Sequence, residues 1–151
     1  MRLAPRTSSA GIAITDTASS VVVDASAVIR ALVDYHPEAI DWLSRIAREE
    51  VTAACPDLLY AEVANALLVK QRAGSLSFAK AKRVIDAAAA APFARQTLRN
   101  LAVPAWGVAN ERGLSAYDAC YVVLAETMGA TLVTADKRLA SATDNAVLIT
   151  G

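Results

Sequence analysis

Short apolar runs alternate with longer segments of helical spacing along this chain, and that alternation predicts its elements. VVVD, Val21 to Asp24, reads as a buried strand in which three β-branched residues run into an acid. ASAVIRALVDY follows with helical spacing. Pro37 opens a second helix, PEAIDWLSRIAREE, with Ile40, Leu43, Ile46 and Ala47 as its apolar stripe and Arg45, Arg48 and Glu49 outside. VTAA, Val51 to Ala54, predicts a second strand. In the next helix, DLLYAEVANALLVKQRAG, Pro56 stands where a first turn tolerates proline and Gly74 is the stop. Ser75 to Ala91 predicts another helix, ended by Pro92. PFARQTL is a weak strand signal, and Leu101 to Arg112 reads as helix despite Pro104, with Gly113 ending it. SAYDACYVVLAETMG predicts a helix from a Ser115 cap to Gly129. TLVTAD, Thr131 to Asp136, is a strand, KRLAS a short helix and AVLIT the last strand.

The resulting order is β-α-α-β-α-α-β-α-α-β-α-β. Short apolar strands alternating with helices imply a parallel sheet covered on both faces. With right-handed crossovers the expected architecture is α/β, a three-layer α/β/α sandwich around a mostly parallel central sheet. Residues 21–151 are expected to form one domain, without internal repeats. The Ser/Thr/Ala-rich stretch 1–20, MRLAPRTSSAGIAITDTASS, reads as a flexible N-terminal arm.

Composition narrows the function. At 151 residues and 55% hydrophobic content the chain can bury a core and stands far from the disordered class. Fifteen Lys and Arg balance fifteen Asp and Glu, so bulk charge announces no nucleic-acid partner. Such a partner would need a local basic patch or a metal to bring phosphate close. Cys55 and Cys120 lie in apolar stretches and read as reduced core thiols; no Cys/His spacing suggests zinc. A Ser-His-Asp triad would have to use His36, the one histidine, and no GxSxG accompanies it. The chain has no apolar run long enough to span a membrane and no continuous apolar signal segment, so a cytoplasmic location is expected.

Four acids stand out. Asp24 ends the first strand, where α/β sheets place their ligands, although it also suits a helix N-cap. Asp136 repeats the arrangement at the end of TLVTAD, which puts both acids on one sheet edge. Glu62 lies inside LLYAEVANALL with Leu58, Leu59, Asn65 and Ala66 as helical neighbours, none of them a cation. Asp118 forms a possible capping box with Ser115, yet the helix around it is apolar nearly all round and predicts burial. Four carboxylates in one cleft repel one another, and with no Arg, Lys or His inside VVVD, LLYAEVANALL, LSAYDACYVVLAE or TLVTAD the natural counterion is a divalent metal. An all-carboxylate site is hard, so Mg²⁺ or Mn²⁺ is expected, activating water and clamping a phosphate. Lys70, Arg72, Lys80, Lys82 and Arg83 in VKQRAGSLSFAKAKR could contact RNA or a protein partner, although such a run also suits a solvated helix face.

In this order and spacing, VVVDASAVI, AEVANAL, LSAYDACYVVLAE and TLVTADKRL resemble the four motifs of a PIN domain, more closely those of the VapC toxins of bacterial type II toxin–antitoxin systems. The resemblance runs from about Val21 to the C-terminus. It implies a metal-dependent endoribonuclease that uses metal-activated water and leaves 5′-phosphate and 3′-hydroxyl ends. By position, Asp24 and Asp118 would hold the Mg²⁺, and Glu62 would bind it or orient the water. Asp136 would act through water or help a second ion. Ser26 and Thr134 would be supporting hydroxyls beside the acids. The resemblance also implies a homodimer and a VapB-like antitoxin that wraps apolar grooves, much of it along the hairpin from Asp57 to Ala91. Two departures stand out: the arm before Val21 is longer than usual, and Asp144 could stand in for Asp136.

The rivals fit less well. A receiver-like phosphoacceptor domain needs paired acids after the first strand, and here there is one. A MIDAS-like, non-catalytic metal-dependent binding module would read DxSxS; Asp24 to Val28 reads DASAV, and such a module needs no Glu62. A PIN domain without catalysis sits poorly with four retained acids. A flap-type DNA nuclease shares the metal logic, but so small a chain makes RNA the better substrate.

Overall fold

The computed structural model describes residues 20–151. The expected flexible arm thus lies outside the described residues, except that Ser20 is already part of the first strand. In chain order the elements are β1 (Ser20–Val23), α1 (Ala25–Leu32), α2 (Pro37–Ala47), β2 (Thr52–Pro56), α3 (Leu58–Arg72) and α4 (Phe78–Ala90). Then come β3 (Phe93–Gln96), α5 (Leu98–Arg112), α6 (Ala116–Met128), β4 (Thr131–Thr134), α7 (Lys137–Ala140) and β5 (Ala146–Leu148). The order of types is the one the apolar pattern predicts.

Boundaries differ where tertiary pairing decides them. Pro56 ends β2, opposite Gln96, instead of entering the first turn of α3. Asp57 then donates its N–H to the Gln96 carbonyl at 2.9 Å, so the strand pairing outlasts the proline. α4 starts later than expected, at Phe78, because Ser77 rather than Ser75 caps it: its hydroxyl accepts the Lys80 N–H at 3.1 Å. α5 starts earlier, at Leu98. β4 stops at Thr134, two residues short of Asp136.

All four strand pairings are parallel, in the order β3-β2-β1-β4-β5. From β1 the chain steps to β2 and β3 on one side, then returns across the sheet to β4 on the other. Right-handed crossovers therefore put α1–α4 on one face and α5 and α6 on the opposite face. β1 and β4 are neighbours that lead away in opposite directions, which makes their carboxyl ends the switch point where such sheets bind ligands. The sheet interior is small and β-branched: Val21–Val23, Ala53–Cys55, Leu132 and Val133 are buried. So is every residue of α6 from Ala119 to Ala125, which explains why its pattern is apolar all round. Both cysteines are free and buried, as the composition suggests; burial raises the Cys55 thiol to about 11.

Candidate active site

At the switch point the structure gathers Asp24, Glu62, Asp118 and Asp136 around one cleft of about 450 Å³, lined also by Ser26, Ile29, Arg30 and Tyr121. Each acid arrives by a different local device. Asp24 directly follows β1 and N-caps α1. Its Oδ1 accepts the Ala27 N–H at 3.1 Å and the Ser26 hydroxyl at 2.7 Å, and its Oδ2 accepts the Thr134 hydroxyl at 2.9 Å. The direction of these bonds is fixed from behind. Ser26 Oγ accepts the Ala135 N–H at 2.9 Å and Thr134 Oγ1 accepts the Asp136 N–H at 3.0 Å, which leaves their hydroxyl protons for Asp24. Ser26 and Thr134 thus sit beside the acid they were expected to support.

Asp24 is buried at 6% exposure, and burial raises its carboxyl from 3.8 to about 6. The bonds from Ser26, Thr134 and Ala27 oppose that shift, and the nearby Asp136 charge adds to it. Asp136 is half-buried and N-caps α7, its Oδ1 accepting the Arg138 and Leu139 N–H groups at 2.9 and 3.2 Å. Asp144, by contrast, is exposed and does not line the cleft, so the structure brings Asp136 there and not its possible stand-in.

The helical acids are held by side chains. Glu62, in the second turn of α3, accepts the Tyr121 hydroxyl at 2.7 Å on its Oε1. Burial raises its carboxyl, the tyrosine bond lowers it, and the Asp118 charge raises it again. Tyr121 is fully buried in α6, and its phenol is pushed up by burial and by bonding to Glu62. Asp118 corrects the expectation of burial: its side chain is 21% exposed, because it stands in the first turn of α6, ahead of the buried run. Ser115 caps that turn by accepting the Asp118 N–H at 3.0 Å. The Asp118 carboxylate instead meets Arg138 at 3.3 Å. The cation missing inside the four acidic stretches thus comes from just beyond TLVTAD and reaches one of the four acids. Arg138 follows Asp136 on α7 and spans the sheet edge, but at 67% exposure the pair is a weak, solvent-screened one.

The donor set suits a hard divalent cation. Glu62 Oε2, Asp118 Oδ1 and Asp136 Oδ2 accept no hydrogen bond from the described residues, and Asp24 accepts three of the roughly four its oxygens can take. Among the described residues no three acidic, His or Cys side chains converge closely enough to hold one ion directly. Mg²⁺ tolerates this, since it retains several waters and takes about one or two carboxylates from the protein.

The basic residues of the α3–α4 hairpin lie outside the cleft lining. Lys80 is occupied by the α1–α2 loop: its Nζ donates to the Val33 carbonyl at 3.2 Å and sits 3.9 Å from the Tyr35 ring centre. Lys82 pairs with Asp86 at 2.6 Å, while Arg72 and Arg83 are exposed and Lys70 is half-buried. Sequence reasoning missed Tyr121, Arg30 and Arg138. Helical spacing carried a signal for the first two: Tyr121 is three residues from Asp118, and Arg30 four from Ser26.

Acids at the ends of β1 and β4, faced by acids from α3 and α6, thus line one cleft at the switch point of a parallel α/β sheet. The chain belongs to the PIN domain family, whose pattern matches residues 21–145. It is 38% identical over 128 residues to Ribonuclease VapC3 of Mycobacterium tuberculosis, spanning 85% of this chain and 90% of that protein. Among solved structures, PAE2754 from Pyrobaculum aerophilum superposes with a TM-score of 0.68 at 31% identity, covering 87% of this chain and 85% of that one. VapBC2 from Rickettsia felis, bound to a DNA fragment from its promoter, shares the fold at a TM-score of 0.60 and 14% identity, over 87% of this chain and 98% of that one.

Proposed function

We propose that this chain is the toxin of a type II toxin–antitoxin pair, an endoribonuclease that hydrolyses RNA phosphodiester bonds with Mg²⁺, for which Mn²⁺ substitutes. The observation that carries the reading is the convergence of four carboxylates on one cleft at the switch point of the sheet. Identity of 38% to a protein named as a ribonuclease supports RNA as the substrate. Asp24 and Asp118 are the residues that would hold the ion, with Glu62 and Asp136 at the cleft wall. A divalent ion bound there supplies an acidic water and positive charge at the phosphate.

The chain's own groups do the rest. Ser26 and Thr134 fix the Asp24 carboxylate, so its remaining acceptor position is held in place. Glu62, held by Tyr121 and with a raised carboxyl, keeps one oxygen available to orient a water and accept its proton. Asp136 adds negative charge at the edge of the cleft, which strengthens its demand for a cation.

The same reading includes a VapB-like antitoxin and a homodimer in the cytoplasm. Solved relatives of the fold include a toxin–antitoxin complex from Klebsiella pneumoniae, superposing with a TM-score of 0.59 at 16% identity. An apolar groove of about 550 Å³ between α1, α2 and α4, with Leu32, Ile40, Leu43 and Ala87 in its walls, is a fitting seat for an antitoxin segment. It uses the far half of the hairpin expected to make such contact. No helix among the described residues is long and apolar enough to cross a membrane.

The test is cleavage of end-labelled total RNA by purified, antitoxin-free protein in Mg²⁺, Mn²⁺ or excess EDTA, beside Asp118→Asn. Discrete cuts that need metal and vanish in the variant are expected. A folded, Mn²⁺-binding protein that cuts nothing would shift the reading to a metal-dependent binding module.

A further inference from the structure

We infer that Arg30 is the phosphate-binding side chain of the acidic cleft, gripping the RNA backbone next to the scissile bond. This rests on the ribonuclease reading above. Four carboxylates repel a phosphodiester, and a divalent ion alone leaves the polyanionic strand facing acidic walls. Among the described residues Arg30 is the one cation that lines the cleft. It stands one turn beyond Ser26 on the same face of α1, and Ser26 holds Asp24, so the guanidinium and the deepest acid are fixed by one short helix.

What Arg30 touches argues for a ligand role. It is not spent on any cleft carboxylate. Its Nε meets Asp34 at 3.4 Å, an exposed partner just beyond the end of the same helix, and its Nη2 donates to a main-chain oxygen of Gly151. The loop closes back on it as well, the His36 N–H reaching the Arg30 carbonyl at 2.9 Å. The Asp34 and Gly151 contacts orient the planar fork while its Nη1 donors have no partner among the described residues. Arg138, the other nearby arginine, is bonded to Asp118 and mostly exposed. A held guanidinium with free N–H groups suits a phosphate oxygen, to which arginine bonds in a fork geometry that lysine cannot reproduce.

The experiment measures binding of a labelled single-stranded RNA to the full chain in EDTA, across salt concentrations, for wild type, Arg30→Gln, Arg30→Lys and Asp34→Asn. Arg30→Gln is expected to weaken binding about 10-fold, the scale of a lost charged hydrogen bond. It should also flatten the slope of log K against log salt by about 0.7, the value for one phosphate contact on a single strand. Arg30→Lys should keep the slope and recover part of the affinity. Asp34→Asn should keep both, which separates phosphate binding from support of the loop. An unchanged slope in a folded Arg30→Gln, beside a wild type that binds and cuts RNA, would overturn the role of Arg30 and leave the nuclease standing. A wild type that neither binds nor cuts RNA would overturn both.

Discussion

The two halves of the cleft are built differently. On the strand side, Asp24 and Asp136 follow β1 and β4 and are fixed by backbone N–H groups and by two hydroxyls whose own direction is set by the backbone. On the helix side, Glu62 and Asp118 are held by one side chain each, Tyr121 and Arg138. Backbone partners cannot swing away, so the strand half is preorganised. The helix half is held by contacts a ligand can replace, and in the case of Asp118 by an exposed ion pair that costs little to open. On the proposed reading, this difference would make Asp24 the anchor of the site and Glu62 and Asp118 its adaptable members.

Even within the strand half the two acids diverge. Asp24 comes directly after its strand and is buried beneath an eight-residue helix. Asp136 is separated from β4 by Ala135 and caps a four-residue helix at the surface. One motif, repeated, therefore yields a deep carboxylate with a raised pKa and a shallow, partly exposed one.

The largest effect should come from the anchor. Asp24→Asn is expected to lower RNA cleavage on the order of 10³-fold, the scale lost with a principal electrostatic group. If Asp136→Asn cost as much, the contrast between the two strand-end acids would fail. The same Asp24→Asn change should stabilise the protein in the absence of divalent cations. Because the carboxyl is raised from 3.8 to about 6, the native state holds the proton more tightly than the unfolded chain. The stabilisation from protonating Asp24 is then complete below pH 3.8 and is lost as pH rises through 6. Thermal or urea unfolding in EDTA should show Asp24→Asn gaining on wild type between about pH 4 and 6, then levelling off at no more than about 3 kcal/mol. A constant difference across that window would show that Asp24 is not a destabilised buried acid.

Smaller effects should come from the helix half. Tyr121→Phe removes the donor to Glu62 while keeping the packing, and should lower activity about 10-fold, the lower range for a supporting hydrogen bond at a metal site. It should leave Glu62 harder to ionise, seen as a shift of the acidic limb of the pH–rate profile to higher pH. Smallest of all, Arg138→Gln should change stability by less than about 1 kcal/mol. It should leave metal affinity equal or slightly tighter, because the cation competes with the metal for Asp118. A large loss of activity there would instead make Arg138 part of the working site.

Much of this was legible in the sequence for physical reasons. Strand positions follow from β-branched runs, and parallel topology from their alternation with helices, so the sequence alone places both acids on one sheet edge. The buried run of α6 misled at its first turn: periodicity says that a helix is surrounded, not where along its length the surrounding begins, and Asp118 fell outside. Pairing across space was the other gap. Nothing local says that Arg138 reaches Asp118 twenty residues back, or that Tyr121 meets Glu62 from another helix. Nor does sequence show that Lys80 is drawn to Tyr35 and the Val33 carbonyl and away from the cleft.

The most direct test of the central claim, that Asp24 anchors a divalent-cation site, is a calorimetric titration of Mn²⁺ into the metal-free protein and into Asp24→Asn. A saturable binding event in the wild type that disappears in Asp24→Asn is the predicted result. Saturable binding that survives the substitution unchanged, or its absence from a folded wild type, would contradict the account.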